Sequence, residues 1–140
     1  MILDSSYLSK DDKTLIEAKV GPPFGLLRRF KNGGVGSYKM TVDVLSMGFN
    51  QIRDNANTVY CNIELRPRGI IVHINQHGTR FSWVIAYHHL AVYSSKLFSI
   101  HAEGEFLKIR KDASFPLNKK FVDKMMCYKS EIKVGNPLAK

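Results

Sequence analysis

Apolar side chains recur at every second position in several short runs between residues 37 and 110, and this alternation constrains the fold more than any other feature. Successive side chains of a β-strand point to opposite faces, so the pattern predicts strands with one buried face. The clearest run spans residues 59–66 and alternates polar residues with Val59, Cys61, Ile63 and Leu65. We therefore expect a mainly β domain.

Turn-forming residues separate the alternating runs. Pro67-Arg68-Gly69 predicts a tight hairpin turn, because Pro fixes φ and Gly tolerates positive φ. With further turns near residues 75–78, 94–96 and 103–104, about seven antiparallel strands are expected. Bulky residues on these strands favour a filled interior over a ligand-binding barrel: Phe81, Trp83, Phe98 and Phe106.

A helical period appears near the C-terminus. Apolar residues at steps of four, three and four form one face of a helix, at Phe121, Met125, Tyr128 and Ile132. Asn118 is expected to cap its N-terminus, and Gly135 and Pro137 mark its end. Such a helix is suited to cover the open end of a small sheet.

The chain divides into three segments around this pattern. Residues 1–36 are expected to form an N-terminal extension, with a short helix over residues 9–18 capped by Ser9 and then a turn-rich arm. Residues 37–133 carry the strands and the C-terminal helix, and residues 134–140 form a tail. A length of 140 residues fits one domain.

The order of seven strands and one C-terminal helix resembles the pleckstrin-homology-like (PH-like) barrel. The run IELRPRGIIVHI, followed by FSWVIAYHHLAVYSS and FSIHAEGEFLKIRK, is similar to the small bacterial PH-like domains. The resemblance implies two nearly orthogonal sheets that form a barrel, with the helix plugging one open end. The loop 48–58 departs from the phosphoinositide-binding pattern, because its single basic residue, Arg53, is offset by Asp54.

Positive charge is concentrated in the last quarter of the chain. The net charge is +9, and residues 108–140 hold nine Lys and Arg against three Asp and Glu. A second, smaller basic cluster, Arg28 and Arg29, lies among apolar residues. The candidate interaction surface therefore comprises Lys108, Arg110, Lys111, Lys119, Lys120 and Lys124, together with the two arginines.

The sequence contains no recognisable catalytic or metal-binding spacing. The adjacent His88 and His89 would point to opposite faces of a strand, and no carboxylate partner for His73 is evident from the pattern. Cys61 and Cys127 are expected to be reduced, buried or half-buried thiols. We expect no cofactor, no metal and no enzymatic activity.

These features predict a non-catalytic interaction module that binds a protein or peptide, or a second copy of itself. One alternative is electrostatic binding to anionic lipid or nucleic acid through the basic C-terminal quarter, and another is a small-ligand-binding barrel. We expect no signal peptide, because residues 1–12 lack a basic region followed by a long apolar run, and no membrane span, because the longest apolar runs are only a few residues. A cytoplasmic location is expected, at the membrane surface if the basic quarter binds lipid.

Overall fold

The computed structural model describes residues 1–25, 34–49, 58–76 and 78–133, with the backbone alone at residues 132 and 133. The described helices are α1 (Lys10–Val20) and α2 (Lys119–Lys133). The strands are β1 (Ile2–Asp4), β2 (Met40–Leu45), β3 (Tyr60–Arg66), β4 (Gly69–Gln76), β5 (Thr79–Ala86), β6 (Ala91–Ser94), β7 (Leu97–Ala102) and β8 (Glu105–Arg110). Short 3₁₀ helices occupy Met47–Phe49, Tyr87–His89 and Phe115–Asn118.

The eight described strands form one antiparallel sheet in the order β1-β5-β4-β3-β2-β8-β7-β6. Strand β2 joins the two halves of this sheet: Met40 and Thr41 pair with β3, whereas Val42, Val44 and Leu45 pair with β8. The sheet is not closed, because β1 and β6 stand at its edges. The prediction of a mainly β fold with a C-terminal helix is confirmed.

A bulge in β2 changes which residues face the core. The pairing of β2 with β8 shifts between Val42 and Val44, and one extra residue moves the following side chains to the opposite face. Leu45 is consequently buried, whereas Val44 is 38% exposed. Tyr38 precedes the strand and is 67% exposed. In the sequence, Tyr38, Met40, Val42 and Val44 alternate with polar residues, which predicts that all four face the core. That prediction is wrong at Tyr38 and Val44.

The main hydrophobic core lies between the sheet and α2. Its aromatic side chains are Phe24, Phe49, Phe81, Trp83, Tyr87, Phe98 and Phe121. Phe106 was also expected inside, but it is half-buried on the opposite face of β8 from Leu107. Its ring lies 5.7 Å from the ring of His101 and 5.4 Å from Lys108 Nζ. The prediction of a filled interior is confirmed for the other three aromatic residues named in the sequence.

Helix α1 covers the second face of β4 and β5. It contributes Ile16 and Val20 to a smaller apolar cluster with Ile71 and Val84. Since both faces of these strands are covered, their sequences are nearly continuous apolar runs. The predicted cap of α1 is confirmed, because Ser9 Oγ accepts a 3.0 Å hydrogen bond from the Asp12 backbone N–H.

Strand β1 was not predicted. Its three residues pair with β5, with Ile2 opposite Trp83, and so the first residues of the chain extend the sheet. Three residues are too few to show an alternating pattern. The segment placed in an N-terminal extension therefore contributes both a strand and a helix to the folded unit.

Helix α2 packs its predicted apolar face on the main core. Phe121 is 8% exposed and Met125 is fully buried, whereas Tyr128 is half-buried. The Ile132 side chain lies outside the described part of the chain. The predicted capping bond of Asn118 is wrong: its Oδ1 accepts instead from the Tyr38 backbone N–H at 2.8 Å.

The hairpin between β3 and β4 has the predicted tight turn, but only Pro67 and Arg68 form it, because Gly69 already pairs with Arg66. A glycine was expected at position 69 because it tolerates positive φ, but the φ of Gly69 is not positive. A Cβ at this position would lie far inside van der Waals distance of the Ile85 carbonyl oxygen and of Val20 Cγ1. Gly69 is thus required by the close approach of β5 and α1.

Candidate docking groove

An open groove runs between β6 and α2. The rings of Phe98 and Phe115, just before α2 begins, are 5.4 Å apart. Farther along the helix, the Tyr128 ring stacks on the ring of Tyr87, which precedes β6. The two ring centroids are 6.4 Å apart, and the angle between the ring planes is 3°. Helix α2 therefore runs antiparallel to β6, and the two elements form the walls of the groove.

The groove has a volume of about 480 Å³ and a mainly apolar lining. Its walls and floor combine residues from four elements, namely Val92, Phe98, Phe115, Pro116, Val122 and Met126. Val92, Val122 and Met126 are only partly buried, so their side chains are available for further contact. Binding of a partner that covers such open apolar surface is favourable, because burial of apolar surface lowers the free energy.

The β6 wall offers main-chain hydrogen-bonding groups as well as side chains. Strand β6 pairs with β7 on one side and has no strand neighbour on the other among the described residues. In an antiparallel edge strand, every second residue directs its N–H and C=O groups outward. Four residues of β6 span about 14 Å, which is room for a short added strand.

Charged side chains border the groove. Lys111 Nζ donates to Ser94 Oγ at 2.6 Å and to the Ser95 carbonyl at 2.5 Å, which ties the end of β8 to the β6–β7 turn. On the helix side, Lys119 Nζ lies 3.6 Å from Asp123 Oδ2. The rim therefore carries two positive charges and one negative charge around an apolar floor.

The predicted basic residues do not form one surface. Lys111 and Lys119 border the docking groove, whereas Lys120 and Lys124 line a second cavity on the other flank of α2. Lys108 lies over Phe106 on the outer face of β8. Arg110 Nε is 2.8 Å from Asp43 Oδ1. Arg28 and Arg29, and most of the loop 48–58, lie outside the described residues.

A row of polar residues crosses β3, β4 and β5, and the sequence pattern did not reveal it. His73 Nε2 is 2.9 Å from Glu64 Oε1, and Ser82 Oγ is 3.3 Å from His73 Nδ1. Arg66 Nε donates to Glu64 Oε2 at 2.5 Å. The register of the β3–β4 hairpin could have revealed this row from the sequence. The Arg66–Gly69 pair at the turn places Glu64 diagonally from His73 on one face of the sheet.

This row has the residue types of an acid–base relay, but its serine is buried. A carboxylate only accepts hydrogen bonds, so His73 Nε2–H donates to Glu64 and Nδ1 can accept from Ser82. Ser82 is only 1% exposed and stands opposite Leu3 of β1. The row therefore links three strands, with Ser82 buried and with Glu64 and His73 half-buried.

The Glu64 carboxylate should make folding stability depend on acid pH. Burial by itself would raise the pKa of Glu64, but hydrogen bonds from His73 and Arg66 and their charges lower it from 4.5 to about 2. A pKa lower in the folded state stabilises the protein fully above pH 4.5, and that contribution is lost as the pH falls towards 2. We expect a contribution of about 3 kcal/mol at neutral pH.

Denaturant unfolding of the wild type and Glu64→Gln at several pH values measures this contribution. Glu64→Gln should reduce the free energy of unfolding by about 3 kcal/mol at neutral pH. The difference between the two proteins should shrink below about pH 4.5 and vanish near pH 2. A difference that stays constant over this range would contradict the proposed role of the Glu64 carboxylate.

The other candidate reactive residues are dispersed. His88 and His89 lie in a 3₁₀ helix, with ring centroids 4.0 Å apart, so the prediction of opposite strand faces is wrong. Cys61 is buried, which raises the pKa of its thiol to about 12, whereas Cys127 is exposed rather than half-buried. No cluster of three potential metal ligands occurs within residues 1–25, 34–49, 58–76 and 78–133.

Neither described helix has the combination of length and apolar character needed to cross a bilayer. Comparison with known proteins adds no relative to these observations. No protein-family model, curated protein or solved structure matches the chain.

Proposed function

We propose that this chain is a non-catalytic interaction module with a PH-like architecture, and that the docking groove binds an extended peptide segment of a partner protein. The observation that carries the proposal is the apolar groove along an edge strand. A peptide in this position would add a strand to β6 through main-chain hydrogen bonds and place alternate side chains in the groove.

The strand connectivity supports the PH-like part of the proposal. Strands β2 to β5 form one antiparallel meander and β6 to β8 form a second, and β8 returns to pair with β2. A bulged strand shared by two halves of a sheet is a means of turning one half against the other. Helix α2 then covers the interior with Phe121 and Met125. Strand β1 and helix α1 are additional to this PH-like arrangement of β2 to β8 and α2.

The groove indicates which peptide would fit. Side chains two residues apart on an added strand point to the same side, so two apolar residues separated by one residue would both enter the groove. The rim charges of Lys111, Lys119 and Asp123 leave an excess of one positive charge. An acidic residue next to the apolar pair would complement this positive charge.

The overall charge favours a foreign peptide over a second copy. Every copy of the chain carries a net charge of +9, and like charges oppose association at low ionic strength. Four residues of β6 offer only a short edge for pairing between two folded copies. A peptide can pair with β6 and also bury apolar side chains against α2.

Selection from a displayed library of random dodecapeptides tests the proposal, followed by titration of the selected peptide. We expect Met126→Glu to weaken binding at least tenfold, because it places a carboxylate in the apolar lining of the groove, at a cost of more than about 1.4 kcal/mol. Met47→Glu is the matched control, since Met47 is 73% exposed and does not line the groove. It should leave the affinity within about twofold.

Three results would contradict the proposal. The first is a selected peptide without the alternating apolar pair, and the second is equal affinity of the two variants. The third is a concentration-dependent dimer in light scattering that Met126→Glu dissociates, which would assign the groove to a second copy. Melting curves of both variants establish that each is folded.

A further inference from the structure

A second cavity lies on the opposite flank of α2 from the docking groove. It has a volume of about 590 Å³ and opens between the first turns of α2 and the segment that leads into β2. Residues from both elements line it, among them Gly36, Tyr38, Asn118 and Lys124. No residue is shared with the docking groove, so any function of this cavity is independent of the peptide site.

Asn118 presents an unpartnered hydrogen-bond donor in the wall of this cavity. The side chain is fully buried, and its Oδ1 accepts from the Tyr38 backbone N–H at 2.8 Å. Because Tyr38 N–H is a donor, that bond fixes the orientation of the carboxamide and assigns the NH₂ group to the other position. Nδ2 has no acceptor within the described part of the chain. Buried donors are rarely left without an acceptor, because this costs free energy.

Two lysines add positive charge around the same cavity. Lys120 is exposed, and Lys124 Nζ donates to the Gly34 carbonyl at 3.0 Å, which leaves further ammonium protons available. The cavity also borders the N-terminus of α2, a helix of 15 residues whose first turn contains no acidic residue. The positive end of the helix dipole is therefore not offset locally by a carboxylate.

Exposed apolar side chains form the outer part of the cavity. Tyr38 is 67% exposed and Leu117 is 65% exposed, and both line the cavity. The Tyr38 ring offers a flat surface against which a planar group can stack. The cavity thus combines an inner donor and two ammonium groups with an outer apolar surface.

We propose that this cavity binds a small organic anion, with its carboxylate or phosphate oxygens towards Asn118 Nδ2, Lys120 and Lys124. The apolar or aromatic body of the ligand would lie against Tyr38 and Leu117. An oxyanion supplies the acceptor that Asn118 lacks, and charge-assisted hydrogen bonds to the two lysines strengthen binding. A neutral ligand of the same shape would lack the charge-assisted bonds.

Titration of the ¹⁵N-labelled full chain with three probes tests this proposal by NMR. The probes are benzoate, its neutral isostere benzamide, and phenyl phosphate. Benzoate or phenyl phosphate should shift the Asn118 side-chain NH₂ resonances and the Tyr38 backbone amide in a saturable manner, and benzamide should bind at least tenfold more weakly. The tighter of the two anions identifies the head group as carboxylate or phosphate.

The double variant Lys120→Gln/Lys124→Gln should weaken binding of the preferred anion at least tenfold. The matched control is Lys10→Gln/Lys13→Gln, which removes the same charge at exposed positions that line neither cavity and should change the affinity less than about twofold. The proposal is overturned if neither anion shifts the Asn118 resonances. It is equally overturned if both double variants weaken binding alike, which would show general attraction to a basic protein, or if benzamide binds as tightly as benzoate.

Discussion

Met125→Ala should lower the free energy of unfolding by about 2–5 kcal/mol, and the melting temperature by roughly 10 °C. Met125 lies on α2, is fully buried and belongs to the main core. Removing its side chain takes away apolar contacts and leaves a cavity between helix and sheet. The total stability of a small domain is only about 5–15 kcal/mol, so a loss of this size is easily measured.

Met47→Ala is the control for Met125→Ala, since it removes the same atoms from a residue that is 73% exposed. It should change stability by less than about 0.5 kcal/mol. Chemical denaturation of both variants makes the comparison directly. Similar, small effects would mean that α2 does not pack on the sheet, and the docking groove would then lose one of its walls.

Gly69→Ala should destabilise the protein by about 3 kcal/mol or more, at the upper end of the usual cost of overpacking. The added methyl group would collide with the Ile85 carbonyl oxygen and Val20 Cγ1, and would lie 2.9 Å from the Ala86 Cα. Two of these atoms belong to the β5 backbone, which is held by eight paired positions along β4. The β5 backbone therefore cannot move away from the added methyl group without breaking its pairing with β4.

Gly25→Ala is the matched control for Gly69→Ala, because no atom lies within 4 Å of a Cβ at that position. It should be neutral or slightly stabilising, as expected when an unstrained glycine becomes alanine. Thermal melts of the two variants provide the comparison. Equal melting temperatures would show that β5 and α1 do not approach Gly69 as closely as described.

Local sequence patterns were sufficient for most of the strands and helices. The alternation in residues 59–66 and the Pro67-Arg68 turn define the β3–β4 hairpin, and these signals involve only neighbouring residues. The same applies to α1, whose cap requires only Ser9 and Asp12. Such elements can be read from sequence because their stabilising contacts are close in the chain.

Features that depend on distant pairing could not be read in this way. Strand β1 exists because Ile2 pairs with Trp83, which is far away in the sequence. The bulge after Val42 depends on β8, and it moved Val44 away from the core. One residue of slip reverses the faces of a strand, so no local alternation predicts it.

The candidate sites were the least predictable part. The basic residues near the C-terminus were identified by charge, yet α2 separates Lys119 on one flank from Lys120 on the other. The docking groove depends on the position of α2 beside β6, and the orphan donor of Asn118 depends on its bond to Tyr38. Both arise from packing between elements, which composition and periodicity do not specify.

Hydrogen exchange at β6 is the most direct test of the proposed peptide docking. Outward-directed amides of residues 91–94 should exchange rapidly in the free protein and become strongly protected when the selected peptide is bound, because an added strand supplies acceptors for them. Met126→Glu should abolish this protection at the same peptide concentration, while Met47→Glu retains it. Unchanged exchange at β6, with protection appearing elsewhere in a saturated complex, would contradict the proposed addition of a peptide strand to β6.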